Sequence, residues 1–109
     1  MKYKLKVISN FNRESKRLIK KYPSLRIEIG DLGNKLIINP IQGDALGKGF
    51  YKIRLAIKSK GKGKRAGARV ITYIKVVAET AYLISIYDKS EKDDISEEEL
   101  NKLLGEIEE

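Results

Sequence analysis

Lys52 and Arg54 stand two residues apart, Arg69 and Tyr73 four apart, and Tyr87 and Lys89 two apart. Side chains of an extended strand alternate between the two sides of a sheet, so each pair shares a face. With the three strands aligned, one open face carries Lys52, Arg54, Arg69, Tyr73, Tyr87 and Lys89. Such a face suits a phosphodiester. Cleavage of RNA by its own 2′-hydroxyl needs a group to take the hydroxyl proton, charge to stabilise the phosphorane and a group to protonate the leaving oxygen. Arginine supplies the charge through a bidentate fork. A lysine crowded by other cations is disfavoured in its charged form and can act as a base. Tyrosine stacks on a base or donates a proton.

Composition narrows the alternatives. The chain has no cysteine and no histidine, which excludes a disulfide framework, thiolate or imidazole zinc ligation and a Ser-His-Asp triad. No cofactor and no metal are expected. Asp88, Asp93 and Asp94 are grouped closely enough to suggest a hard-cation site, but a solvated turn ahead of a helix is the better reading. Gly61-Lys62-Gly63-Lys64 is too short for a P-loop and leads into a strand, so it reads as a hairpin loop whose lysines touch a polyanion backbone.

The charge is unevenly distributed. Through Asp88 there are 20 basic and 6 acidic side chains, and from Lys89 onward 3 basic and 9 acidic, within an overall net charge of +8. Ten of the basic residues lie between Ala45 and Ala78, where there is no acidic residue. A body this cationic draws in polyanions.

The elements that must position these residues follow from periodicity. Tyr3 to Ile8 alternates as an edge strand, with Tyr3, Leu5 and Val7 inward. Asn10 to Tyr22 reads as a helix with Phe11, Leu18, Ile19 and Tyr22 on one stripe, stopped by Pro23. Ser24 is the expected cap of a second helix carrying Leu25, Ile29, Leu32 and Leu36. A loop from Asn39 through Gly49 precedes three strands: Tyr51 to Lys58, Arg69 to Val77 and Ala81 to Tyr87. Ser96-Glu97-Glu98-Glu99 fits a capping box opening a last helix whose Leu100, Leu103, Leu104 and Ile107 need burial. The expected fold is α+β over residues 1–109 as one domain: an N-terminal helical hairpin packed on a curved, mostly antiparallel four-stranded sheet, with a C-terminal helix. No apolar run approaches a membrane span and the N-terminus lacks a signal-peptide core, so a cytoplasmic protein with no membrane partner is expected.

The ordered stretches Gly47-Lys48-Gly49-Phe50-Tyr51-Lys52-Ile53-Arg54-Leu55, Gly61-Lys62-Gly63-Lys64 to Gly67-Ala68-Arg69-Val70-Ile71, and Ile84-Ser85-Ile86-Tyr87-Asp88-Lys89 resemble the RelE/ParE superfamily of bacterial toxins. The Gly-Lys-Gly-Lys loop and Lys89-Ser90-Glu91-Lys92 resemble its HigB-like branch. The resemblance implies a toxin of a type II toxin–antitoxin pair, silenced by a cognate antitoxin. Its activity would be that of a metal-independent endoribonuclease cutting mRNA in the ribosomal A site and blocking translation. It implies catalytic roles for Lys52, Arg54, Arg69 and Lys89, the last standing where RelE proper has an arginine. RNA contacts, to messenger or rRNA, would come from Lys58, Lys60, Lys62, Lys64, Arg65, Tyr73, Tyr87 and Lys92. The late tyrosine of RelE proper falls near Ile95 here, which leaves Tyr73 and Tyr87 as its candidate substitutes. A ParE-like inhibitor of DNA gyrase and a non-catalytic nucleic-acid-binding domain are the competing expectations.

Overall fold

The computed structural model describes residues 2–61 and 66–107. The chain runs through β1 (Lys4–Val7), α1 (Ser9–Lys21), α2 (Leu25–Ile38), β2 (Asp44–Gly47), β3 (Phe50–Leu55), a 3-10 turn (Lys58–Lys60), β4 (Ala68–Lys75), β5 (Thr80–Asp88) and α3 (Glu97–Ile107). The sheet has five strands in the order β1-β5-β4-β3-β2. β1 pairs parallel to β5 and every other pair is antiparallel.

The α+β architecture and mostly antiparallel sheet agree with the pattern read from the residues, but the strand count is corrected from four to five. The added strand, β2, lies in the glycine-rich stretch expected to be loop. Asp44–Gly47 has little β-propensity of its own and is held by pairing with β3, with an irregularity between Ala45 and Gly47. Gly43 makes the turn into it at φ +85°, where a Cβ would fall 2.2 Å from the Lys52 carbonyl oxygen.

Two apolar layers flank the sheet. β3, β4 and β5 align Ile53 with Val70 and Val70 with Ile86, and these residues share a core with Phe11 and Leu18 of α1 and Leu25, Leu32 and Leu36 of α2. α1 lies along β5 and α2 meets β1. Gly33, which weakens α2 by propensity, is explained by this contact: a Cβ there would meet Leu5 Cδ2 at 3.0 Å. On the opposite face the register brings Phe50, Tyr73 and Tyr82 into one row. α3 covers that half of the sheet. Leu100 and Asn101 line a cavity with Phe50, while Gly105 and Ile107 line another with Lys6 and Tyr82.

Two serines expected to cap helices behave differently. Ser96 and Glu99 form the expected reciprocal capping box, Glu99 N–H donating to Ser96 Oγ and Ser96 N–H to Glu99 Oε1, each at 3.1 Å. Ser24 does not cap α2. It is already helical, at φ −66° and ψ −19°, and its hydroxyl instead meets Ser59 Oγ at 2.7 Å and Glu28 Oε1 at 3.2 Å. Those bonds tie the start of α2 to the 3-10 turn that follows β3. Among the described residues no helix is long and apolar enough to cross a membrane.

Candidate functional site

Arg54, Arg69 and Tyr87 form one transverse row across β3, β4 and β5. Arg54 is registered against Arg69 and Arg69 against Tyr87. Opposed residues of antiparallel strands project from the same face, so the row lies on the side away from the helical hairpin, beyond the half covered by α3. Lys52 lies two residues before Arg54 and joins that face. The alignment of strands assumed from the sequence therefore holds for Lys52, Arg54, Arg69 and Tyr87.

Exposure within the row is graded. Arg54 is exposed, whereas Arg69 and Tyr87 retain only 5% and 4% of their surface. Arg69 Nη1 donates to the Ala68 carbonyl at 3.2 Å, which holds the guanidinium near the sheet. The pKa of the Tyr87 hydroxyl is pushed up to about 12. Burial is the main cause and the nearby Asp94 charge the next, with the Arg69 cation working the other way. A phenol in this setting keeps its proton at neutral pH and offers it as a donor.

The acidic turn after β5 closes over the row. Lys52 Nζ donates to Asp94 Oδ1 at 3.2 Å, and Tyr87 Oη reaches the same oxygen at 3.5 Å. The Ile95 N–H also donates to it, at 2.8 Å. Asp94 is held below the ordinary carboxylate range by the Ile95 amide and by Lys52, against a burial effect in the other direction. The face read from the sequence as purely cationic thus holds a carboxylate beside Lys52. Lys89 donates to the Asp93 carbonyl at 2.6 Å and to Asp93 Oδ1 at 2.7 Å. Lys92 bonds Glu99 and lies 5.4 Å from the centre of the Tyr87 ring, in cation–π range.

Several residues expected to contact RNA have other surroundings. Lys60 is corrected from surface anchor to buried strut. Its ammonium donates to Asp88 Oδ1 at 2.6 Å and to Ser90 Oγ at 3.0 Å. The Lys60 and Asp88 side chains are 10% and 0% exposed. Asp88 also accepts from the Tyr22 hydroxyl at 2.9 Å and from the Ser90 hydroxyl and N–H. Burial opposes the charge on Asp88, but the bonds from Lys60, Ser90 and Tyr22 outweigh it and hold the carboxyl well below its usual range. Tyr73 shares the face of Arg69 and stands there in an aromatic row, its ring 5.2 Å from Phe50 and 6.1 Å from Tyr82. Lys58 leaves the strand: β3 ends at Leu55, and Lys58 opens the 3-10 turn with its N–H on Glu28 Oε2 at 2.7 Å. Its side chain is exposed. Lys62, Lys64 and Arg65 lie outside the described residues.

The three aspartates do not converge. Asp88 takes Lys60, Asp93 takes Lys89 and Asp94 takes Lys52. Asp94 is the site residue that sequence reasoning missed, because no periodicity marks which cation a turn carboxylate will reach. Beside the row, a groove of about 620 Å³ runs between α2 and β3, with Leu32 and Ile53 in its lining and Asp31, Lys35, Arg54 and Lys58 among its charged residues.

A model of the family described as RelE toxin of the RelE/RelB toxin–antitoxin system matches residues 34–106. That stretch begins in α2 and includes every described residue of the row and the acidic turn. Among solved structures, the chain is similar to E. coli toxin RelE in the free state, determined as a mutant with two arginines changed to alanine. The TM-score is 0.60 at 16% identity, over 97% of this chain and 94% of that one. At that identity the likeness speaks to the fold.

Proposed function

The chain belongs to the RelE toxin family of toxin–antitoxin systems, and from that premise we propose that it is a ribosome-dependent, metal-independent endoribonuclease that cleaves mRNA in the ribosomal A site. The observation that carries the reading is the row Arg54–Arg69–Tyr87 with Lys52 beside it. Three cations and a protonated phenol on one face match the electrostatic demand of phosphodiester cleavage, where charge builds on phosphorus and on the leaving oxygen. Arg54 and Arg69 stabilise the phosphorane. Tyr87 donates to the leaving oxygen, a role its retained proton supports. Lys52 contributes charge at the phosphate, and Lys89 extends the positive field at the end of β5. Exposed Lys58 contacts the nucleic acid backbone, as do Lys62, Lys64 and Arg65 in this reading. An antitoxin silences the toxin by covering the cationic face, and an acidic or amphipathic segment suits that surface.

Primer extension on a defined message in a purified translation system tests the proposal, with wild type compared against Arg69→Ala. Cuts that require ribosomes and are lost in the variant are expected. A folded wild-type protein that leaves the message intact overturns it.

A further inference from the structure

The cationic body and the acidic C-terminal segment meet at the site. Of the residues in the turn after β5, Glu91 bonds Arg17 and Lys21, Asp93 bonds Lys89 and Asp94 bonds Lys52. The charge asymmetry of the sequence is thus partly neutralised within the chain. The contact at Asp94 is the informative one, because a single carboxylate oxygen receives Lys52 Nζ, the Tyr87 hydroxyl and the Ile95 amide. A lysine, a phenol and a backbone N–H around one anionic oxygen make the donor set expected for a phosphate oxygen.

We propose that the Asp94 carboxylate occupies a phosphate subsite formed by Lys52 and Tyr87, as a built-in competitor that RNA displaces on binding. The subsite takes a phosphodiester of single-stranded RNA, and the proposal rests on the nucleic-acid reading of this face. Displacement is inexpensive because the ion pair is lopsided in exposure: the Lys52 side chain is 22% exposed and that of Asp94 61%. Pairs with an exposed partner contribute little, whereas a polyanion brings several charges and releases its own counterions. Asp94 also sits one residue before Ile95, whose side chain is buried in the core, so the turn remains anchored when the carboxylate swings out.

The experiment is the affinity of a 2′-O-methyl single-stranded oligoribonucleotide, which cannot be cleaved by its own 2′-oxygen, measured by fluorescence anisotropy over a salt series. Asp94→Asn is compared with wild type and with Glu98→Gln, which makes the same change in net charge in the first turn of α3. The Asp94→Asn change preserves the local turn, since an asparagine amide oxygen still accepts from the Ile95 N–H. Asp94→Asn is expected to bind roughly two- to fivefold more tightly, the range that one exposed ion pair allows. Its salt dependence should be somewhat steeper, because in wild type salt also screens the Lys52–Asp94 pair that RNA must displace, which offsets part of the slope. Glu98→Gln should match wild type, and adding Lys52→Met to Asp94→Asn should remove the gain. Equal affinities for Asp94→Asn and Glu98→Gln, including no binding by either, overturn the proposal, as does weaker binding by Asp94→Asn. Because the probe is never cut, these outcomes are separate from success or failure of the ribosome-dependent cleavage assay.

Discussion

Arg54 and Arg69 occupy directly opposed positions on β3 and β4. Like charges placed this way oppose sheet formation, and a sheet selected for stability alone would place a carboxylate opposite one of them. Two arginines side by side on one face are intelligible if that face serves a polyanion. Arg54→Ala is therefore expected to stabilise the free protein by about 0.2–1 kcal/mol, the scale of a cross-strand pair, as read from urea unfolding. The same variant should lose about 10²–10³-fold in cleavage rate, the usual effect of removing one transition-state donor. A variant that is less stable and fully active contradicts both halves of the argument.

Lys60 and Asp88 give the opposite case, charges retained for structure. The pair links the turn after β3 to the end of β5, and Tyr22 brings the end of α1 to the same carboxylate. Lys60→Ala leaves a buried charge without its main partner and should cost about 3–5 kcal/mol. The sign of the pH effect follows from the lowered Asp88 carboxyl. A carboxyl depressed by folding stabilises the native state above its unfolded value, near 4, and that contribution is lost as pH falls below it. Wild type should therefore lose more stability than Lys60→Ala between pH ~5 and ~2, as measured by thermal unfolding across that range.

Much of the scaffold was legible from the residues, for identifiable reasons. Helix α1 carries an apolar stripe at helical spacing, and Phe11 and Leu18 are buried where that stripe places them. The alternation Tyr51–Ile57 against Lys52 and Arg54 assigned both to one face, and the register of β3 with β4 placed Arg69 there too. What escaped was long-range pairing. β2 exists only because β3 offers an edge, and a four-residue stretch flanked by glycines has no local signal for it. Lys60 and Lys58 look alike in sequence, yet one turns inward to Asp88 and the other stays out, a difference set by the 3-10 turn. Tyr73 shares the face of Arg69, but that Phe50 and Tyr82 flank its ring follows only from the pairing of β3, β4 and β5.

The capping box at Ser96 should matter beyond its own helix. Helix α3 buries Leu100 and Leu103 and shields the aromatic half of the face that carries the arginines. Ser96→Ala removes the oxygen that accepts the Glu99 amide and is expected to cost about 1 kcal/mol. Deletion from Ser96 onward should cost far more, because it exposes Phe50 and the tyrosine stack. Unfolding curves for the two variants check the order, and a truncated protein as stable as wild type would show α3 to be dispensable for the fold.

Tyr87 supplies the sharpest test of the chemistry. Its proton is held by burial first and by the Asp94 charge second, with Arg69 opposing, and the hydroxyl is pushed up to about 12. Tyr87 therefore contributes no limb to the rate profile near neutral pH, and a limb assigned to it should appear only in strongly alkaline solution. Tyr87→Phe keeps the ring and removes the proton, so single-turnover cleavage should fall by about 10²–10⁴-fold, the range for a lost general acid. Binding of an uncleavable RNA should change far less. The stability effect has a definite sign as well. A hydroxyl whose folded value is raised favours the native state below its unfolded value, near 10, and that preference is lost as pH climbs toward the folded value. Wild type should thus weaken more than Tyr87→Phe between pH ~10 and ~12. Cleavage by Tyr87→Phe at the wild-type rate would remove the phenol from the mechanism and leave the row as a purely electrostatic clamp.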